Sequence, residues 1–391
     1  MTSVDRHAAG PALVFVEIVR SGGGDLDAYI LVGGEGSRLG QDKTGLVVGG
    51  HNVLEHMLTV MARHFDRVSL VGGQGVSGGG TAPEWIPDRS PRLGPLGGIQ
   101  AGLTHTRGSH AFFAACDLAF FRGDFAAYLA QEAGDSDAVV PAYGGFLEPL
   151  FAVYGRSCLP AIGSVLARGE RRVSAFFPHV RTRLVPEEVI REYGHPAVLF
   201  LNINTPEDLA RAQRLAGPHP RGRLATGDQV PVVSVVGRSH AGKTRLAVLL
   251  IHELRRRGYR VVTVKHAAGG FQFDRPGSDT QQHFAAGAAA VAAVGAGRLG
   301  LIEAGDFSLS GAIARLGPCH LVLAEGFKRE DWAKVEVWRG EAGPVCGGDA
   351  RLIAGVTEGT WSVDVPLFLP TEAAGLAAHL ELILQLQRDG M

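Results

Sequence analysis

The chain has 391 residues, 46% of them hydrophobic and 20% charged, and Lys+Arg 38 against Asp+Glu 39 leave a formal net charge of −1 at pH 7. That length predicts two domains with two substantial cores, and the balanced charge argues against a nucleic-acid binder relying on a basic excess. Four cysteines (Cys116, Cys158, Cys319, Cys346) without Cys-x-x-Cys spacing point to neither a zinc site nor a disulfide framework and fit a reducing cytoplasm.

Residues 1–24 read as a flexible extension. Their apolar run is interrupted by Glu17 and is too short for a membrane span, and no signal-peptide pattern forms. From Asp27 onward, strand patterns at 28–33, 68–73, 111–117 and 137–143 alternate with helical patterns at 52–65, 98–106, 121–133 and 206–216. Such alternation predicts a mostly parallel sheet with helices on both faces and ligands beyond the carboxyl ends of its strands. The first domain is therefore expected over 25–216. A linker rich in proline, glycine and charge follows at 217–229.

A second α/β series is expected over 230–391. The strand Val230–Gly237 leads into a helix over Lys243–Arg257, with strands at 259–266, 320–326 and 352–358 and a closing amphipathic helix at about 371–387.

Two different glycine-rich loops stand about two hundred residues apart, which implies two unrelated nucleotide sites. The first, LVGGEGSRLGQDK, runs from Leu31 to Lys43. Gly33, Gly34 and Gly36 let the backbone turn tightly against a phosphate, Ser37 and Arg38 add donors, and Lys43 adds charge. Downstream, Asp88 precedes the Gly/Pro loop of Gly94, Pro95 and Leu96, and Asp117 ends a hydrophobic strand where a magnesium-binding carboxylate commonly sits. The segments EPLFAVY (148–154) and FLNINTPEDL (200–209) complete the set, the latter offering the amides of Asn202 and Asn204.

The second loop, GRSHAGKT from Gly237 to Thr244, is a P-loop in its proper strand-to-helix context. Gly237 and Gly242 shape it, Lys243 would bridge phosphates, and Thr244 would ligate Mg²⁺. Glu325 sits where a Walker-B carboxylate belongs, and Asp279 lies at a helix start. His266 and His283 read as packed or solvated side chains, because no Cys/His cluster surrounds them.

The motifs LVGGEGSRLGQDK, GPLGG, ACD, EPLFAVY and NINTPEDL, in this order over about 25–216, resemble the molybdenum cofactor guanylyltransferase family. The resemblance implies a nucleotidyltransferase (Rossmann-like) domain that moves GMP from GTP onto molybdopterin, releasing pyrophosphate. It implies that Leu31, Gly33, Gly34, Gly36, Ser37, Arg38, Lys43, Gly94, Pro95 and Leu96 hold the nucleotide, with Arg38 and Lys43 on the triphosphate. It also places Asp88 on guanosine, Asp117 on Mg²⁺, and Asn202 and Asn204 on the pterin side. Leu118 stands where the family usually has proline.

VKHAAGGFQFDRPGSDTQQHFAAGA (264–288) and LVLAEGFKREDWAKVEV (321–337) resemble the molybdopterin-guanine dinucleotide biosynthesis adaptor proteins over about 230–391. That resemblance implies a P-loop NTPase α/β domain binding GTP through Gly237, Gly242, Lys243, Thr244, Asp279 and Glu325, with a weak GTPase activity left open. Lys265, His266, Asp274, Gly277 and Asp279 keep part of the family pattern, while Ser278 replaces a lysine and Thr280 a serine.

The expected partners are GTP and molybdopterin, with molybdoenzymes and molybdenum-insertion proteins as further candidates; no nucleic acid or membrane is expected. Two alternatives stay open: a sugar-phosphate or cytidylyl-type transferase fused to a P-loop kinase, and a second half that is a non-catalytic cofactor-delivery scaffold.

Overall fold

The structure, a computed structural model, describes residues 26–32, 43–73, 83–87, 93–267, 270–271, 275–295 and 297–387. The chain divides into two compact units. Met1–Pro218 with Val363–Gln385 form the first, and His219–Ser362 with Leu386–Met391 the second.

The sheet of the first unit runs, from edge to edge, Thr182–Val185, Ala138–Tyr143, Phe151–Gly155, His110–Ala115, Asp27–Leu31, Arg67–Val71 and Glu84–Ile86. Its centre is apolar on both faces, as a parallel sheet covered by helices demands: Ala28, Tyr29, Ile30, Phe112 and Phe113 are all fully buried. Along this order the pairings are parallel except at Phe151–Gly155, which is antiparallel to both neighbours; off the path, the short strand Phe146–Leu147 pairs antiparallel with Ala138–Tyr143. That reversal brings the turn before Phe151 to the edge where the parallel strands end. The amide of Ala115 there donates to the carbonyl of Leu150 at 3.0 Å.

Helix Gly94–His105 begins earlier than the expected 98–106, because Pro95 in the first turn presets helical φ and needs no hydrogen-bond partner for its nitrogen. Gly102 permits its close docking, since a Cβ there would lie 2.6 Å from the ring of Phe113.

The first unit also contains a short helix, Glu187–Tyr193, and the helix Ala373–Ile383 packs on it. The contact is close: a Cβ on Gly375 would lie 2.2 Å from the carbonyl oxygen of Arg191. The closing helix, grouped by sequence with the 230–391 series, thus makes these contacts in the first unit.

In the second unit the strands Val261–Lys265, Leu321–Glu325, Gln229–Val236, Ala333–Val337 and Leu352–Val356 lie side by side in that order, all parallel. Arg221–Arg223 pairs antiparallel with Gln229–Val236. A separate hairpin, Ala290–Gly295 with Arg298–Glu303, leaves Val294 and Leu299 exposed. Both units are α/β. Among the described residues no helix is long and apolar enough to cross a membrane.

Candidate functional site

In the first unit, Asp117 follows directly from the strand His110–Ala115 and is 6% exposed. The segment that carries both asparagines is stitched alongside it. Ala119 donates its amide to Leu201 at 3.2 Å, Ile203 donates to the Asp117 carbonyl at 2.9 Å, and Leu118 forms an antiparallel bridge with Asn202. Thr205 then caps the helix Pro206–Ala216 in a reciprocal capping box with Asp208, fixing where that segment ends.

Lys43 closes the cluster. Its ammonium donates to Asp117 Oδ2 at 2.5 Å and to Asn204 Oδ1 at 2.8 Å. Asn202 donates to the Phe200 carbonyl at 3.3 Å, while its own Oδ1 is buried and, among the described residues, without a partner. Asp117 Oδ1 is likewise buried and, among the described residues, without a partner. A buried carboxylate oxygen without a donor is costly unless something positive or hydrogen-bearing arrives.

The structure thus brings Lys43, Asp117, Asn202 and Asn204 together. Leu31 ends its strand beside them, its carbonyl accepting from Cys116 at 3.2 Å. Gly94 (φ 65°), Pro95 and the buried Leu96 open a helix. Gly33, Gly34, Gly36, Ser37, Arg38 and Asp88 lie outside the described residues.

One residue at this sheet edge, Glu148, opens the EPLFAVY motif, and the sequence alone assigns it no role. Burial pushes its carboxyl up to about 7. The motif marks its segment but not the burial of its carboxyl, because that environment depends on the reversed strand that follows.

In the second unit, Gly237 (φ 138°) and Gly242 (φ 105°) adopt conformations that favour glycine, and a Cβ on Gly237 would lie 2.2 Å from the Val337 carbonyl oxygen. Lys243 Nζ donates to the carbonyls of Arg238 at 2.7 Å and Gly237 at 3.3 Å. Thr244 Oγ1 donates to Glu325 Oε1 at 2.7 Å, and Lys265 pairs with the same oxygen at 3.4 Å. The P-loop and the strand-end carboxylate therefore meet.

Asp279 begins the helix Asp279–Ala285, whose cap is Ser278 accepting from the Gln281 amide at 3.3 Å. Among the described residues no hydrogen bond or ion pair joins Asp279 to Lys243, Thr244 or Glu325. His266 packs edge-on against Phe327, and Asp274 lies outside the described residues. Sequence reasoning missed Arg339, exposed at the end of the neighbouring strand. Its guanidinium nitrogen lies 3.4 Å from where a Cβ on Gly242 would be.

Over 195 residues the chain is 35% identical to the probable molybdenum cofactor guanylyltransferase of Pelotomaculum thermopropionicum, an alignment covering 50% of this chain and 95% of that protein. The chain belongs to the molybdenum cofactor guanylyltransferase family. Residues 28–183 of this guanylyltransferase match the MobA-like NTP transferase domain family, and residues 232–358 match the molybdopterin guanine dinucleotide synthesis protein B family.

Among solved structures, molybdopterin-guanine dinucleotide biosynthesis protein A from Archaeoglobus fulgidus is 27% identical, with TM-score 0.43 and coverage of 49% of this chain and 98% of that one. A MobB protein homolog from Bacillus stearothermophilus is 26% identical, with TM-score 0.27 and coverage of 38% and 94%. In the guanylyltransferase, Lys43, Asp117 and Asn204 form one hydrogen-bonded cluster that brings a cation and a carboxylate together.

Proposed function

We propose that the first unit transfers GMP from GTP to the terminal phosphate of molybdopterin at the Lys43–Asp117–Asn204 cluster, giving the guanine dinucleotide and pyrophosphate. The meeting of Lys43 with a buried, half-satisfied carboxylate is the observation that carries this reading. The acceptor phosphate is already an anionic nucleophile, so the site has no proton to remove. Its task is to hold two polyanions together, and preorganised charges that stabilise the transition state usually do more for such a reaction than any other effect.

Lys43 would turn from Asp117 and Asn204 toward the triphosphate, and Arg38 would join it. Asp117 fits a magnesium ion. Its Oδ1 is unpartnered, and Mg²⁺ characteristically binds one or two carboxylates together with substrate phosphates. When bound, that ion would neutralise phosphate charge. The unpartnered Asn202 Oδ1 and the amide of Asn204 would face the pterin side.

The second unit, by the same reasoning, binds GTP at Gly237–Thr244. Lys243 would leave the loop carbonyls for the phosphates, Thr244 and Glu325 would hold Mg²⁺, and Arg339 would add a cation beside Gly242. Cofactor delivery to molybdoenzymes in the cytoplasm is the setting that fits both units.

The test supplies purified protein with Mg²⁺, GTP and molybdopterin and measures dinucleotide and pyrophosphate. Lys43→Ala is expected to lower turnover at least about a hundredfold in a protein that remains folded, the loss of one charge-stabilising donor being worth roughly 3 kcal/mol. Wild-type turnover in that variant overturns the assignment. Incorporation of labelled CTP or UTP in preference to GTP overturns the choice of nucleotide.

A further inference from the structure

The pairing of Lys43 with Asp117 leaves one polar group at the same sheet edge without a task. Glu148 stands in the turn that enters the reversed strand Phe151–Gly155. Its backbone is fixed: its amide donates to Pro141 at 2.9 Å, and its carbonyl accepts from Phe151 at 3.1 Å. Two residues on, Leu150 accepts from Ala115, tying this turn to the strand that leads to Asp117.

The side chain is partly buried, and among the described residues its carboxylate has no hydrogen bond or ion pair. Tyr143 is close enough for the Glu148 charge to help raise its phenol pKa, after burial itself. The Tyr143 ring stacks on Phe200, centroids 5.6 Å apart at 27°. Phe200 begins the segment that carries Asn202 and Asn204. A carboxyl, two aromatic rings and the asparagine segment therefore share one side of Asp117.

The sheet order decides which substrate this side serves. The strand Asp27–Leu31, which leads into the phosphate loop, flanks His110–Ala115 on one side, and Phe151–Gly155 flanks it on the other. Glu148 is on the flank opposite the strand that leads into the nucleotide loop.

We infer that Glu148 recognises the acceptor substrate by receiving paired N–H bonds from the amino-oxo-pyrimidine edge of its pterin ring. This rests on the guanylyl-transfer reading of the neighbouring cluster. Two parallel donors on a flat ring match the two oxygens of a carboxylate, as a guanidinium does, and charge-assisted bonds of this kind are the strong ones. Tyr143, half-buried and held by stacking on the buried Phe200, adds aromatic surface suited to a flat heterocycle. The raised carboxyl pKa fits a group lacking donors until such an edge arrives. Guanine presents the same edge, so the experiment separates the two sources.

Steady-state transfer is measured with Glu148→Ala and with the nearly isosteric Glu148→Gln, varying molybdopterin and GTP separately, alongside direct titration of GTP binding. Both variants are expected to raise the KM for molybdopterin by roughly ten- to a hundredfold, the range for losing a hydrogen bond to a charged group, with GTP affinity within about twofold of wild type. An unchanged molybdopterin KM overturns the inference. An equal loss of GTP affinity overturns it too, assigning the carboxylate to guanine instead.

A fluorescence titration with 6-hydroxymethylpterin keeps the test independent of turnover. If wild type makes no dinucleotide, the transfer reading falls. Weaker pterin binding by Glu148→Gln then still supports the contact, and equal binding overturns it. Should Glu148→Ala fail to fold, Glu148→Gln alone decides.

Discussion

Lys43 and Asp117 hold each other at 2.5 Å, yet among the described residues only one oxygen of the carboxylate is used. A charge pair serving stability alone would be expected to satisfy both oxygens, since burial of an unpaired lone pair costs free energy. Asp117→Asn keeps the shape and removes the charge. Transfer is expected to fall about a hundredfold or more without recovery at high Mg²⁺, measured as pyrophosphate release. Recovery at raised Mg²⁺ would mean that other groups hold the ion. Elsewhere in the unit, burial and the nearby cations lower His195 to about 3. Its folded-state pKa lies below the ordinary value, so the unfolded chain binds more protons between about pH 6.5 and 3 and stability is lost as pH falls through that window. His195 Nδ1 accepts from the Ala197 amide, a task an asparagine oxygen can take over. Between pH 7 and 5 the wild type is therefore expected to lose more melting temperature than His195→Asn. Equal losses would show that other groups carry the acid sensitivity. Asp117, Lys43, Asn202 and Asn204 were legible from their motifs. The hydrogen bond joining Lys43 to Asn204 across 161 positions was not, since only the fold brings those motifs together. Glu148 was not legible either, because an unpartnered carboxylate is a property of its surroundings and not of its spelling.

Among the elements, the P-loop was the most legible, since its glycines are demanded by backbone geometry that sequence records directly. Gly237 illustrates the point twice over, with φ at 138° and room for no Cβ against the Val337 carbonyl. Gly237→Ala is expected to distort the loop and remove one GTP site. Calorimetric titration should then read a stoichiometry of one GTP per chain where wild type reads two. Two sites in the variant would show that this loop does not hold GTP. The antiparallel strand Phe151–Gly155 was harder to read. EPLFAVY is apolar enough to be a buried strand in either direction, and direction is fixed by pairing with His110–Ala115 and Ala138–Tyr143. Ser278 shows a different kind of gap. The position where related adaptor proteins usually carry lysine is used here to cap a helix, a role that serine fills well.

At the scale of the molecule, the closing helix Ala373–Ile383 has a consequence for how the first unit is built. Periodicity revealed the helix, but amphipathicity does not say which surface a helix will cover. In the structure it is held by Arg122, which donates to the Ala378 carbonyl at 3.0 Å and to Glu381 at 3.2 Å while also pairing with Asp124. Glu372 pairs with Arg191, and Leu376, Leu380 and Ile383 are buried. Glu381 is only 7% exposed, so Arg122→Ala takes a counter-charge away from a buried carboxylate. Breaking a buried pair from one side is destabilising by up to about 3–5 kcal/mol, because the remaining charge keeps its desolvation penalty while losing that counter-charge. A chain ending at residue 362 loses that pairing and the apolar cover together. Every residue proposed for transfer lies upstream of the cut, so a self-sufficient N-terminal half would be indifferent to it. The expected result is the opposite. By calorimetry the truncated chain should melt earlier than the full-length protein, and its dinucleotide formation should fall in step with the loss of folded protein. Full transfer activity and an unchanged melting profile would show that residues 363–385 merely rest on a unit that folds without them.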